Sequence, residues 1–262
     1  DRAFSPSIGM TYQPLKTLAV FANYTRSFLP QSGGARSISG TLFRPELGES
    51  YEAGLKLHSP DGQLRLTFTA FETIKKNVLT SDISQGPGSG FSIATGEQRS
   101  RGFEVDLAGQ LLPGLEVIAS YAYIDARITK DNTFLEDSRL PNVPKHQASV
   151  WTTYSFREGM LRGLGVSAGF VAFGQRPGIF LCQDPVGSFC QDPFNLPGYV
   201  RMDAAVYYRN QVNVLNKKTN FLASVNVRNL LDERYFTGAQ NFREIIYTGA
   251  PITVIGSLKF EY

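Results

Sequence analysis

The sequence predicts an all-β protein, an antiparallel transmembrane β-barrel seen in part. Three observations predict it: two-residue alternation over unusually long runs, connections that alternate short and long, and no stretch near the roughly 18 apolar residues of a spanning helix. Side chains on a strand point to opposite faces with period two, so alternation means one apolar and one polar face. Leu64, Leu66 and Phe68 alternate with Arg65, Thr67 and Thr69. Phe103, Val105 and Leu107 alternate with Glu104, Asp106 and Ala108. Val200, Met202, Ala204, Val206 and Tyr208 alternate with Arg201, Asp203, Ala205 and Tyr207. The last six residues place Leu258, Phe260 and Tyr262 on one face.

Eleven strands follow, near 5–13, 17–28, 47–58, 63–76, 98–110, 115–128, 145–157, 163–175, 198–210, 219–229 and 250–262. Most are about twice the usual 5–6 residues of a globular strand, and a tilted strand crosses a bilayer in about 9–11. Short connections fall at Gln13-Pro14-Leu15-Lys16, Ser59-Pro60-Asp61-Gly62, Leu111-Leu112-Pro113-Gly114, 158–162 and 211–218. Long ones lie between, at 29–46, 77–97, 129–144, 176–197 and 230–249. Tight periplasmic turns and long external loops are the asymmetry of an outer-membrane barrel. A soluble sandwich has shorter strands and no reason to sort its loops. Single-chain bacterial barrels have even strand numbers, so eleven strands predict part of a larger one.

Composition adds exclusions. Lys plus Arg number 26 against 23 Asp plus Glu, a formal charge of +3, too even to argue for nucleic acid. Two Cys are too few for a disulfide scaffold, and two His too few for a His-rich metal site. His58 abuts a periplasmic turn and His146 follows an external loop, so they cannot share an ion. The start Asp1-Arg2-Ala3-Phe4 lacks the pattern of a signal peptide. Gly165-Val166-Ser167-Ala168-Gly169 matches a nucleophile elbow by letters only, because it lies inside an alternating strand and not at a strand–turn–helix. Gly86-Pro87-Gly88-Ser89-Gly90 lacks the Lys-Ser/Thr of a phosphate loop. No nucleophile–base pair emerges, so no enzyme is expected.

Several stretches carry a family resemblance. They are Tyr51-Glu52-Ala53-Gly54-Leu55-Lys56, Asn77-Val78-Leu79-Thr80-Ser81-Asp82 and Gly96-Glu97-Gln98-Arg99-Ser100-Arg101-Gly102-Phe103-Glu104. Ala119-Ser120-Tyr121-Ala122-Tyr123, Val143-Pro144-Lys145-His146 and Trp151-Thr152-Thr153-Tyr154 continue the series. The most specific is Asn226-Val227-Arg228-Asn229-Leu230-Leu231-Asp232-Glu233-Arg234-Tyr235, before Gly249-Ala250-Pro251 and the closing strand. In this order they resemble the TonB-dependent outer-membrane siderophore receptors. The resemblance implies a 22-stranded barrel of which 1–262 is the C-terminal part, with the plug domain, the TonB box and the N-terminal strands outside this chain. It implies multi-pass residence in the bacterial outer membrane and uptake of a ferric siderophore, with TonB engaged through the missing N-terminal region. Iron would arrive inside the chelate, with no cofactor and no protein–iron site. Alternatives are a receptor for another scarce ligand, cobalamin or haem, and a passive porin.

The same frame assigns candidate residues. Leu258, Phe260 and Tyr262 would signal to the barrel-assembly machinery, or simply anchor in the lipid interface. Cys182 and Cys190 share an external loop with Pro and Gly between them, so a disulfide is expected there. Glu52, Lys56, Arg65, Glu104, Asp106, Arg201, Asp203, Asn226 and Arg228 must face water or a plug, since hydrocarbon would make such groups costly. Arg139, Arg176, Phe180, Phe189, Tyr235, Phe236, Phe242 and Arg243 are the ligand-binding candidates of the external loops. Arginine offers forked donors to chelate oxygens, and aromatics cover an apolar frame.

Overall fold

The computed structural model describes residues 4–31, 34–86, 89–183, 192–214, 217–240 and 243–261. Eleven strands form one antiparallel sheet, each paired with its neighbours in sequence. They are β1 Ser7–Leu15, β2 Leu18–Leu29, β3 Glu46–His58, β4 Leu64–Ser81, β5 Ser92–Leu112 and β6 Leu115–Lys130. β7 His146–Ser155, β8 Leu164–Phe173, β9 Tyr199–Val214, β10 Lys217–Arg228 and β11 Thr253–Glu261 complete it. The only other described strand segments are two short ladders within external loops, 176–177 with 195–196 and 236–239 with 246–248.

Register turns each strand's alternation into continuous rows. Tyr12, Val20, Leu55, Phe68, Val105, Tyr121, Ala148, Ala172 and Val200 stand opposite one another across nine strands. The neighbouring row on the other face runs Thr11, Phe21, Gly54, Thr69, Glu104, Ala122, Gln147, Phe173 and Tyr199. One face is therefore the apolar belt and the other the polar lumen wall. Met10, Val254 and Leu258 are each more than 60% exposed on the apolar face, as a lipid-facing surface requires. Glu52, Lys56, Arg65, Glu104, Asp106, Arg201, Asp203, Asn226 and Arg228 all fall on the lumen face by the same register.

The turns explain the short ends. At Ser59–Gly62 the Gly62 amide donates to the Ser59 carbonyl at 2.9 Å, with Gly62 at φ +71°. Proline at the second position and a left-handed glycine at the fourth suit a type I turn with a bulge. The Asp61 carboxylate accepts from the Ser59 hydroxyl and the Gln63 amide, which holds its pKa below the usual carboxylate range.

Two strands run further than the alternation predicts. β4 and β5 extend to Ser81 and back to Ser92, beyond the expected 63–76 and 98–110. Irregularities between Lys76, Val78 and Thr80 shift the face parity, and Asn77 sits at φ +59°. A bulge hides a strand from any two-residue period.

Candidate functional site

The external end of the sheet is built on a knot in the Asn226–Tyr235 stretch. Asn229 adopts φ +56°, a left-handed conformation that asparagine tolerates, and is fully buried. Its side-chain amide donates to the carbonyls of Glu233 and Ala250 at 3.0 Å each, and its oxygen accepts from the Glu233 amide at 2.9 Å. Its backbone amide donates to Asp203 at 2.8 Å, and Asp203 also accepts from Arg201 at 2.8 Å. Asp232, at φ +49°, accepts from the Ile252 amide at 2.9 Å. The family-like signature therefore ties β9, β10 and the start of β11 together where the last loop departs.

Tyr235 closes the knot. It is buried, its ring centroid 4.4 Å from that of Tyr199, and its hydroxyl accepts from Arg201 at 3.3 Å. A Cβ on Gly249 would lie 2.1 Å from that ring, so only glycine fits there. Arg176 packs above, 5.7 Å from the Tyr199 centroid and 2% exposed, donating to the Phe236 carbonyl at 2.7 Å. Burial pushes its pKa below that of an ordinary arginine.

The external connections are joined to one another. Asn142 donates from its side chain to the Ala239 carbonyl at 2.9 Å and accepts from the Ala239 amide at 2.8 Å. Its own backbone amide donates to Pro177, so one residue clasps three loops. The Leu135 amide donates to Leu181, and the Gln183 amide to Thr133. Phe134 stacks on Phe180 at 4.6 Å. Asp131 accepts from the Thr80 hydroxyl and from the amides of Thr133 and Phe134. Gln31 reaches the Asn77 carbonyl, and the Ser92 amide donates to Arg36. Loops tied this way present a preformed surface, which lowers the ordering cost of binding.

The predicted candidates divide accordingly. Tyr235 and Arg176, expected at the ligand, are buried in the loop base because the knot uses both. Phe236 is half-buried and pairs with Thr248. Phe180 sits on Phe134, and Arg243 is exposed with its guanidinium 5.8 Å from the Phe194 ring centroid. Arg139 stands opposite Arg127 on the apolar side of the wall, turned from the lumen, and donates to Val143 at 2.9 Å. Cys182 is disulfide-bonded. Phe189, Cys190, Phe242 and Tyr262 lie outside the described residues. Leu258 and Phe260 lie on the apolar face, Phe260 at 5.2 Å from Phe221. His146 joins Tyr121 through a 2.8 Å hydrogen bond, in an aromatic rim and not a metal site. Sequence reasoning missed Asn142 and Phe194, whose partners are remote in sequence and leave no local pattern.

Below the loops, Glu104, Asp106, Ser120, Gln147, Ser149 and Phe173 line a shallow lumen concavity of about 340 Å³. Such an arrangement can bind and pass a polar solute, and it contains no paired nucleophile and base.

With fold and mouth in view, the comparisons with known proteins decide the family. The model of the TonB dependent receptor-like β-barrel matches residues 1–230. The chain belongs to that family. The metal-pseudopaline receptor of Pseudomonas aeruginosa is 39% identical over 262 residues, covering all of this chain and 34% of the relative. The ferrichrome outer membrane transporter/phage receptor of Escherichia coli is 30% identical, with 100% and 32% covered. The solved ferripyoverdine receptor of Pseudomonas aeruginosa, bound to ferripyoverdine, superposes with a TM-score of 0.79 at 26% identity, over 98% of this chain and 33% of that one. The chain spans about one third of the length of the curated relatives it matches. Its family is one of outer-membrane receptors, and this sheet is a wall of such a barrel.

Proposed function

We propose that this chain is the C-terminal part of the barrel of an outer-membrane receptor that takes up a ferric siderophore with energy delivered through TonB. The single observation that carries the reading is the clasped set of external loops over a polar lumen wall, in a chain whose relatives are siderophore and metal-chelate receptors. A passive porin needs an open lumen and has no use for loops locked together at its mouth. The lumen carboxylates of Glu52, Glu104 and Asp106 have no hydrogen-bond or ion-pair partner among the described residues, which supports contact with a plug domain. Such a plug, remaining strands and the TonB-contacting segment belong to the N-terminal part of the protein in this reading. The barrel-assembly machinery would recognise the strand that carries Leu258, Phe260 and Tyr262.

Binding needs no covalent chemistry, so the protein acts as a transporter and iron enters as part of its chelate. Arg243, exposed and with Phe194 beneath it, is the leading contact of the last loop for chelate oxygens. A bridge from Cys182 to Cys190, as the sequence leads one to expect, would stiffen the neighbouring loop. A second reading, a receptor for a metal chelate of the pseudopaline kind, is favoured by the 39% identity to that receptor against 30% for the ferrichrome transporter.

The test is direct binding of a panel of purified metal chelates to the folded full-length receptor in detergent. Saturable binding of a ferric siderophore supports the first reading, whereas binding only of a pseudopaline-type chelate supports the second. Arg243→Ala is expected to weaken the bound chelate by about 1–3 kcal/mol, the range for a charged hydrogen bond. Large steady currents from the full-length protein in planar bilayers, with no chelate bound, would overturn both.

A further inference from the structure

The lumen wall is not charged evenly. Its cations lie on the flanks, as Lys56 and Arg65 on β3 and β4, and as Arg201, Arg209, Arg228 and Lys259 on β9 to β11. Between them, the lumen-facing positions of β5 to β8 at 104–110, 116–122, 147–155 and 165–173 include no lysine or arginine. Four successive rows cross this strip from the mouth toward the periplasm. The first two, with Glu104 opposite Ala122 and Asp106 opposite Ser120, line the concavity described above. The next two, Ala108-Ile118-Trp151 and Gln110-Glu116-Thr153, line a second concavity of about 420 Å³. Rows two residues apart lie about 6.6 Å along the strand, so the four span about 20 Å without interruption.

The second concavity offers an aromatic platform, an exposed apolar side chain and one carboxylate. Trp151 lies over Gly169, where a Cβ would stand 2.6 Å from its Cε3, so glycine makes room for the indole. Ile118 is 63% exposed on the water-facing side of the wall. Hydroxyl pairs hold the strands above and below, Ser120 with Ser149 at 2.9 Å and Thr153 with Ser167 at 2.8 Å. Glu116 is exposed, with no ion-pair partner among the described residues. Arg157, donating to Gln110 at 3.0 Å, is the first cation met, and it stands at the periplasmic end.

We infer that this strip is the lane along which a chelate crosses once the plug withdraws, with the Trp151 concavity as a second stopping place, and that it admits chelates without net negative charge. The lane rests on the uptake reading above and adds the class of chelate it admits. Continuity with the mouth-side concavity and a volume within the usual range of small-molecule sites select that occupant. The indole and Ile118 cover an apolar chelate frame, while Glu104, Asp106 and Glu116 repel an anion and attract a cation.

The test is current block through the full-length receptor in a planar bilayer, its plug loosened by urea on the periplasmic side. Ferrioxamine B, a cation, and its N-succinyl derivative, an anion on the same metal-binding frame, are added outside. Ferrioxamine B should interrupt the current at a concentration at least about tenfold lower than the anion, as expected for three carboxylates along the lane. Trp151→Ala should raise its blocking concentration about tenfold at unchanged conductance, and Trp151→Phe should restore most of the block. Glu116→Gln should narrow the preference for the cation. Phe21→Ala removes an aromatic of the same face outside the strip and should change nothing. Equal block by the two chelates overturns the charge assignment. Unchanged block in Trp151→Ala, or an equal loss in Phe21→Ala, overturns the lane. Failure of the uptake reading is seen separately, as absence of saturable chelate binding to the closed receptor in detergent.

Discussion

Asn229 concentrates more structure than any other described residue of the last loop. Its side chain serves two carbonyls and one amide while its backbone holds a left-handed turn. Asn229→Ala leaves those three groups without their partner in a buried site, and each net hydrogen bond is worth about 1 kcal/mol. The full-length receptor should lose about 2–4 kcal/mol of stability by this count, read as an earlier heat-modifiable transition in detergent. Asn229→Gly should do little better, because it restores the backbone freedom but not the amide. A transition at the wild-type temperature would show that the knot contributes nothing. The asparagine's membership in a family-like stretch was legible from the sequence. Its task was not, because Ala250 and Asp203 are 21 and 26 positions away.

At the scale of elements, the eleven strands were legible because each buries or exposes one face consistently, so period two survives along its length. Where a bulge breaks that period, as at Asn77, the outer parts of β4 and β5 read as loop. The small ladders 176–177 with 195–196 and 236–239 with 246–248 were invisible for another reason: they are too short to show a period. Close packing was only half legible. Gly102 could be seen in the Arg-Gly-Phe-Glu stretch, but not that a Cβ there would lie 1.8 Å from the Tyr123 carbonyl oxygen of the adjoining strand. Gly102→Ala should force β5 from β6 and cost about 3 kcal/mol, at the upper end for overpacking. Slow assembly into the heat-modifiable form would register it; normal assembly and stability would mean that the strands can part without penalty. The loop clasp makes its own prediction. Asn142→Ala should raise amide hydrogen exchange in the 236–239 and 246–248 ladder, 97 residues away from Asn142 at Ala239, while β1 to β4 exchange as before. Unaltered exchange in that ladder would mean the loops hold their places independently.

For the whole molecule, the two faces of one sheet define a membrane protein with no α-helix among the described residues. An apolar row crosses nine strands, an aromatic girdle bounds it, arginines stand beyond the girdle, and the opposite face carries Glu52, Lys56, Glu104, Asp106, Arg201 and Asp203. The long connections clasp one another at one end, and the described connections at the other end are shorter, as at Ser59–Gly62. The central claim is that this sheet spans the outer membrane with its clasped loops outside. Single cysteines placed in the full-length receptor at Ser39, Ser84 or Thr237, and at Asp61 or Met160, test it with a membrane-impermeant thiol reagent on intact cells. Labelling at Ser39, Ser84 and Thr237, with Asp61 and Met160 reacting only after the outer membrane is permeabilised, is the predicted result. Labelling of Asp61 and Met160 on intact cells, with the other three protected, would contradict it.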